Sequence, residues 1–235
     1  MKTVKRIAVS FLVLTAAVGA GPVPASQKPP RPDWVDTFAV DKKDFVSTGS
    51  NTFFRLEPGY TLVLEKGQVR LVITVLDETR LVDGVETRVV EERESKAGRL
   101  LEVSRNFFAY NTADRGVYYF GETVDIHKDG KVVGHEGAWE SGKKGARFGL
   151  MIPGRPEPKA RYYQEVAPGV AMDRAAIASV GETLKTPAGE FKDCLKTIET
   201  TPLEPFARES KIYAPGVGLV KDGSLLLVEY GFLKK

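Results

Sequence analysis

The sequence predicts a mainly β protein, an antiparallel meander forming a rolled sheet or incomplete β-barrel, with at most one or two short helices. Three observations carry this. Asp-Gly pairs at Asp83-Gly84, Asp129-Gly130 and Asp222-Gly223 each lie between apolar runs, which is the strongest short-range hairpin signal. The runs are rich in β-branched residues, as in "GYTLVLEKG" and "QVRLVITVLDETRLV". Helix-period segments are scarce.

Taken in order, the chain begins with Lys2, Lys5 and Arg6, then an apolar stretch from Ile7 to Ala20, then small residues and prolines. Residues 1–25 read as a secretory signal peptide, cut after Ala20 or after Ala25. The apolar stretch, about 14 residues, falls short of the roughly 20 that a spanning helix needs, so no transmembrane segment is expected after cleavage. The three basic residues account for the whole formal net charge of +3, and the mature chain is neutral. That argues against a nucleic-acid surface and against a polybasic membrane patch. The localisation implied is exported, periplasmic or extracellular. A single cysteine, Cys194, permits no internal disulfide. It reads as a small buried hydrophobe rather than a nucleophile.

Residues 26–44, with "SQKPPRPDWVD", form an extended Pro-rich lead-in. Residues 45–235 form a single β-rich domain. Around the Asp83-Gly84 turn, Val85, Thr87 and Val89 alternate with Glu86, Arg88 and Val90, which puts one face on a core and one in water. The stretch "WESGKKGARFGLMIPGRPEP" is rich in glycine and proline and reads as a long irregular loop, of the kind that often carries function. Met172 to Val180 is the one place where a short helix is expected. A Pro-Ala-Gly turn at 187–189 then leads into a strand through about Thr200, and the Asp222-Gly223 turn starts the closing strand. The tetrapeptide Ala-Pro-Gly-Val occurs twice, at 167–170 and 214–217, and reads as a backbone corner rather than a site.

For chemistry, Asp125, His127, Asp129, His135 and Glu136 are close in sequence, and imidazole with carboxylate suits zinc or copper. A two-residue turn at Asp129-Gly130 would put His127 and His135 on opposite faces; a three-residue loop would pair Asp125 with His135. There is no Gly-x-Ser-x-Gly elbow, no His-Glu-x-x-His and no phosphate loop, since "GKKGARFG" lacks the strand-loop-helix context and the Lys-Ser/Thr ending. The balance tilts against an enzyme. Aromatic residues are concentrated at Phe107, Phe108, Tyr110 and Tyr118 to Phe120, then at Trp139, Phe148, Tyr162 and Tyr163. Arg147, Arg155 and Arg161 lie in or beside the long loop and suit an anionic ligand. The candidate ligand-binding set is Tyr118, Phe120, Trp139, Arg155 and Tyr163. The candidate metal set is His127, His135 and Glu136.

The stretches "FFRLEPGYTLVLEKG", "YYFGETVDIHKDGKVVGHEGAWESGKKGARFGLMIPGRPEP", "YYQEVAPGVAMDRAAI", "TPAGEFKDCLKTIETTPLEP" and "IYAPGVGLVKDG" cover most of residues 53–223. In this order they resemble the DUF3108/TapB-like group of exported bacterial proteins, whose function is unassigned. The resemblance implies an exported β-rich domain from a didermal bacterium, with an open or rolled sheet like that of periplasmic lipoprotein carriers. It transfers no catalytic residue. The chain departs from the group at "GYTLVLEKG", where relatives often carry an aromatic before the Val.

The expected function is that of an exported non-enzymatic binding protein. It would hold a small apolar or amphipathic ligand, or a cell-envelope component, between the sheet and the 139–165 segment. The alternatives are a metal-binding or metal-dependent protein using the His127/His135 hairpin, and an envelope interaction module using a strand edge such as "GSLLLVEYGF". Apart from that metal, no cofactor is expected.

Overall fold

The computed structural model describes residues 33–233; the signal-peptide reading and the start of the Pro-rich lead-in lie outside the described residues. A 3-10 turn at Lys42–Asp44 is followed by the short strands β1 (Phe45–Val46), β2 (Ser50–Asn51) and β3 (Phe54–Arg55). The long meander comes next: β4 (Tyr60–Lys66), β5 (Val69–Val82), β6 (Val85–Lys96), β7 (Arg99–Asn111) and β8 (Val117–Lys128). Then come β9 (Lys131–Gly134), β10 (Trp139–Glu140), β11 (Arg147–Ile152), β12 (Arg161–Tyr163) and β13 (Glu165–Val166). The chain ends with β14 (Arg174–Thr186), β15 (Gly189–Thr201), β16 (Glu204–Ala214), β17 (Gly218–Asp222) and β18 (Leu225–Phe232).

Sixteen strands make one sheet, in the order β12-β14-β15-β16-β17-β18-β4-β5-β6-β7-β8-β11-β13 with β1, β9 and β10 paired alongside. The fold is mainly β, an antiparallel sheet nearly closed into a barrel with one unsealed seam. The two ends of the strand path are neighbours in sequence. β12 pairs with β14, β13 pairs with β11, and only Gln164 separates them. One six-residue stretch, 161–166, therefore belongs to both edges and draws the roll together. Close approach at this point depends on Gly149 in β11: a Cβ there would lie 2.3 Å from the Gln164 carbonyl oxygen.

The turn chemistry explains the register. At Asp83-Gly84 and Asp129-Gly130 both residues have positive φ (51° and 77°, 51° and 76°), as a two-residue turn matching strand twist requires. Ala97-Gly98 does the same job with φ of 51° and 75°. At the third Asp-Gly pair the structure corrects the expectation. Asp222 still pairs with Leu225, so Gly223 and Ser224 form the turn and Asp222 is the last residue of its strand. The Ala-Pro-Gly-Val corners are the same turn used twice. Val170 N–H donates to Ala167 O at 2.9 Å and Val217 N–H to Ala214 O at 3.2 Å, with Gly169 and Gly216 at φ of 75° and 71°.

Three further expectations are corrected. The helix at 172–180 is strand β14, which has β12 on one side and β15 on the other, and its buried Ala175 and Ile177 alternate at strand period. Pairing on both sides overrides the local helix preference of an Ala-rich run. The loop over 139–158 contains β10 and β11, which leaves shorter irregular stretches at 141–146 and 153–160. The candidate edge strand, β18, is interior, between β17 and β4.

The core holds fully buried Leu56, Leu64, Leu195, Leu227 and Phe107. Each such side chain contributes about 1.5–3 kcal/mol by leaving water. The alternation after Val85 holds only for its first residues: Glu86 is exposed, while Arg88 and Val90 are 6% and 1% exposed. Arg88 is accommodated because its guanidinium donates to Ser47 O, Thr48 Oγ1 and Leu76 O at 3.0, 2.7 and 3.4 Å.

Candidate functional site

Residues facing each other across an antiparallel ladder project to the same side of the sheet. On β15 and β16, Leu195 opposes Tyr213, Thr197 opposes Lys211, and Glu199 opposes Glu209. Lys211 also opposes Asp222 on β17. Because Leu195 and Tyr213 are 0% and 1% exposed, this side is the inside of the roll, and the charged residues in phase with them point inward too. On the facing wall, the pairs Val75 with Val90, Ile73 with Glu92 and Glu92 with Ser104 carry the same inward face through β5, β6 and β7.

Between these walls lies a recess with a cavity volume of about 60 Å³. Its apolar lining includes Phe54, Leu62, Ile73, Val75, Phe108 and Leu219, and its charged side is formed by Glu92, Lys211 and Asp222. Lys211 Nζ lies 3.2 Å from Glu199 Oε2 and 3.8 Å from Asp222 Oδ1, and these side chains are only 21%, 12% and 18% exposed. Glu199 is the hub. It also accepts from Gln164 Nε2 at 3.1 Å, Thr197 Oγ1 at 3.4 Å and Tyr213 OH at 3.5 Å. The Gln164 bond ties the strand that closes the seam to the charged belt.

Burial alone would lower the Lys211 pKa, but Asp222 and Glu199, with Tyr213 and Glu92 adding, lift it well above the usual lysine range. The ammonium therefore stays charged. Half-buried Glu209 moves the other way. Burial first, then Asp222, against the pull of Lys211, and with Glu199 and Asp173 adding, pushes its carboxyl up to about 7. The Tyr213 and Tyr162 hydroxyls are held above the ordinary phenol range, chiefly by burial and then by Glu199. At another part of the lining, Arg55 binds both oxygens of Glu57 at 2.8 and 2.9 Å, and its guanidinium lies 4.6 Å from the Tyr60 ring centre. Tyr60 OH donates to Val217 O at 2.9 Å.

A second recess of about 70 Å³ has Val170 and Leu203 among the carboxylates of Glu102, Glu122, Glu136, Glu165, Asp173 and Glu204. Glu102 and Glu122 oppose Ile126 and Asn106 on the inward face of β7 and β8.

The residues singled out from the sequence fall elsewhere. Tyr118 and Phe120, 2% and 0% exposed, share the face opposite Tyr119. Phe45 packs edge-on against both of their rings, at 5.2 Å from each. Phe38 and Phe148 complete that cluster, so these two rings are used in packing rather than in lining the recess. Trp139 is 6% exposed, with its ring edge-on to Tyr119 at 5.4 Å and its indole N–H without a hydrogen-bond partner. Arg155 is exposed on the 153–160 stretch. Tyr163 is half-buried beside Trp34, whose ring lies under the guanidinium groups of Arg161 and Arg174 at 4.0 and 4.3 Å.

In the histidine hairpin the turn has two residues, with Lys128 opposite Lys131 and His127 opposite Val132. A bulge then shifts the register so that Gly134, not Val133, opposes Ile126. This carries His135 to Asp125, with Nδ1 at 2.9 Å from Oδ1 and 2.8 Å from Val124 O. Glu136 turns to the second recess. Among the described residues no group of three His, Cys, Asp or Glu side chains is arranged to hold a metal ion. Cys194 is fully buried; burial first, then Asp193 and Glu182, pushes its thiol up, away from the reactive thiolate.

The charged belt was missed from the sequence. A signal for it exists in the period-2 spacing of Glu209, Lys211 and Tyr213, which sets charge in phase with an aromatic. No protein-family model, curated protein or solved structure matches the chain.

Proposed function

We propose that the chain is an exported, non-catalytic binding protein that holds a small amphipathic molecule inside the rolled sheet, with the apolar body in the recess and the polar end against Glu92, Lys211 and Asp222. The observation that carries this reading is a recess with an apolar lining and a charged side; pockets for small molecules are commonly mostly apolar, with a few placed polar groups. Kinship with the DUF3108/TapB-like proteins and removal of residues 1–25 on export belong to the same proposal.

A binding role fits the chemistry of the belt better than catalysis. A lysine kept protonated by two acids is neither a nucleophile nor a base. The thiol of Cys194 is buried and neutral, and His135 is an exposed side chain held by Asp125.

The test uses the mature chain purified without detergent. Titration with N-phenyl-1-naphthylamine, an apolar dye that brightens in dry pockets, should show saturable binding. Val75→Trp, which fills the recess, should abolish it while the far-UV spectrum is retained. Absence of saturable binding by the wild type, or undiminished binding by Val75→Trp, refutes the proposal.

A further inference from the structure

We propose that residues 34–38 form a strap across the unsealed seam, and that release of the strap is the gate through which a molecule reaches the recess. The gate rests on the recess being the binding site; the strap does not.

The strap touches both ends of the strand path. β12, at one end, has β14 on one side. On its other side Val35 adds as a parallel partner. Val35 N–H donates to Arg161 O at 3.0 Å and Tyr163 N–H donates to Val35 O at 2.8 Å, around a bridge from Val35 to Tyr162. These bonds satisfy backbone groups that a bare edge would leave open. The next residues turn to the opposite end of the path. Asp36 Oδ2 lies 3.2 Å from Arg147 Nη2 on β11, and the Phe38 ring stands edge-on to Tyr118 of β8 at 5.6 Å.

Trp34 fastens the strap. The guanidinium groups of Arg161 and Arg174 lie 4.0 and 4.3 Å from its ring centre, and Tyr163 packs edge-on to it at 6.1 Å; an indole face is the best side-chain partner for such cations. Arg174 is itself aimed by bonds to Thr200 Oγ1 and Tyr163 OH at 3.2 and 3.4 Å. The middle of the strap is lightly held. Val35, Asp36 and Thr37 are exposed, and the Asp36–Arg147 pair, each side chain 53% exposed, adds little. Beyond the strap, Phe45 is anchored in the core and pairs with Asn111 on β7. A segment fixed at one end and held at the other mainly by one ring and two backbone bonds opens locally, well before the β5–β6 ladder.

What lies behind it connects the strap to the recess. Gln164, between β12 and β13, donates from Nε2 to Glu199 Oε1 at 3.1 Å and to Met151 Sδ at 3.5 Å. Met151 lines the recess, and Glu199 holds Lys211 of its charged side. Freeing β12 from the strap therefore loosens the wall that Gln164 pins.

The experiment uses the mature chain, its Trp34→Ala variant, and an Asp36→Cys/Arg147→Cys variant before and after bridging with a short bismaleimide; Cys194 is buried and does not compete. Native-state hydrogen exchange reads the strap. In the wild type the Val35 and Tyr163 amides should exchange by an opening nearly independent of urea, and the β5–β6 amides only by global unfolding. Trp34→Ala should speed the Val35 and Tyr163 amides by about tenfold, and the bridge should slow them to the pace of β5–β6. Stopped-flow mixing with N-phenyl-1-naphthylamine reads the gate. Trp34→Ala should raise the association and dissociation rates together with little change in the dissociation constant, and the bridge should slow both by at least about tenfold. Val35 and Tyr163 amides that exchange only with β5–β6 in the wild type, or at an unchanged rate in Trp34→Ala, overturn the strap. Dye rates untouched by both changes overturn the gate and leave the recess as the binding site. No dye binding by the wild type overturns the gate and the recess together, while the exchange result still decides the strap.

Discussion

Replacing Lys211 by methionine isolates what the charged belt does to the fold. The side chain keeps its length and apolar stem and loses only the ammonium. At an effective dielectric of about 20, charges 3.2 and 3.8 Å apart attract by about 5 and about 4 kcal/mol. Removing three ions from water offsets most of that, so the intact cluster adds little net stability. The single replacement is different, because it leaves Glu199 and Glu209 desolvated without the Lys211 ammonium. Breaking a buried ion pair from one side costs about 3–5 kcal/mol, a large part of the 5–15 kcal/mol that holds a typical domain together.

The loss should depend on pH. Without Lys211 the Glu209 carboxyl loses the charge that pulls its pKa down, and once protonated it no longer repels its neighbours. Urea unfolding followed by the fluorescence of Trp34 and Trp139 reads both effects. At pH 8 the midpoint of Lys211→Met should fall by on the order of 1–2 M for a chain of this size, and at pH 5 by clearly less. A variant within about 1 kcal/mol of the wild type at pH 8, or one whose deficit does not shrink on acidification, refutes the account of the belt as a desolvated cluster held by one cation.

Three further outcomes follow from the same structure. Glu209 has a folded pKa of about 7 against an ordinary 4.5, so its contribution to stability is fully present below 4.5 and is lost as pH rises through 7; Glu209→Gln should therefore match the wild type at pH 4 and exceed it at pH 8 by about 1–2 kcal/mol, the full shift being discounted for the partial exposure of the carboxyl. Equal stability at pH 8 would sink that assignment. Gly149→Ala places a Cβ 2.3 Å from Gln164 O and should cost about 2–3 kcal/mol, with faster amide exchange confined first to 161–166; unchanged exchange there means that this strand does not close the roll. The Cys194 thiol should be silent to Ellman's reagent in the native protein and react fully in denaturant, and rapid native reaction would contradict its burial.

The strand architecture was legible where backbone geometry leaves a residue-type signature. Asp83-Gly84 and Asp129-Gly130 satisfy two successive positive φ angles with the residues best suited to them, and both are read correctly from sequence. Ala97-Gly98 adopts the same geometry, but an alanine in the left-handed region has no such signature. β14 misleads for the opposite reason. Its run of alanines is a good helix former, and only the partners on either side, brought from 161–163 and 189–201, make it a strand. The closing pair β12 and β13 is too short for any period to show, and its role depends on Gly149 and Gln164, which lie apart in sequence.

The belt was hidden by a rule that usually works. In an antiparallel sheet, charge in a strand normally marks the wet face, and Lys211 between Ile212 and Ser210 invites that reading. Here Ile212 is 6% exposed and Tyr213 1%, so this end of β16 is buried on both faces, and the face with the charges is the inside of the roll. The one-residue correction at the third turn has the same consequence. As a turn residue Asp222 would point to solvent, whereas as the last rung of β17 it opposes Lys211. Buried ion clusters commonly add no stability over a well-packed apolar replacement. An apolar replacement of Lys211, Glu199 and Asp222 together should therefore leave the roll about as stable as before.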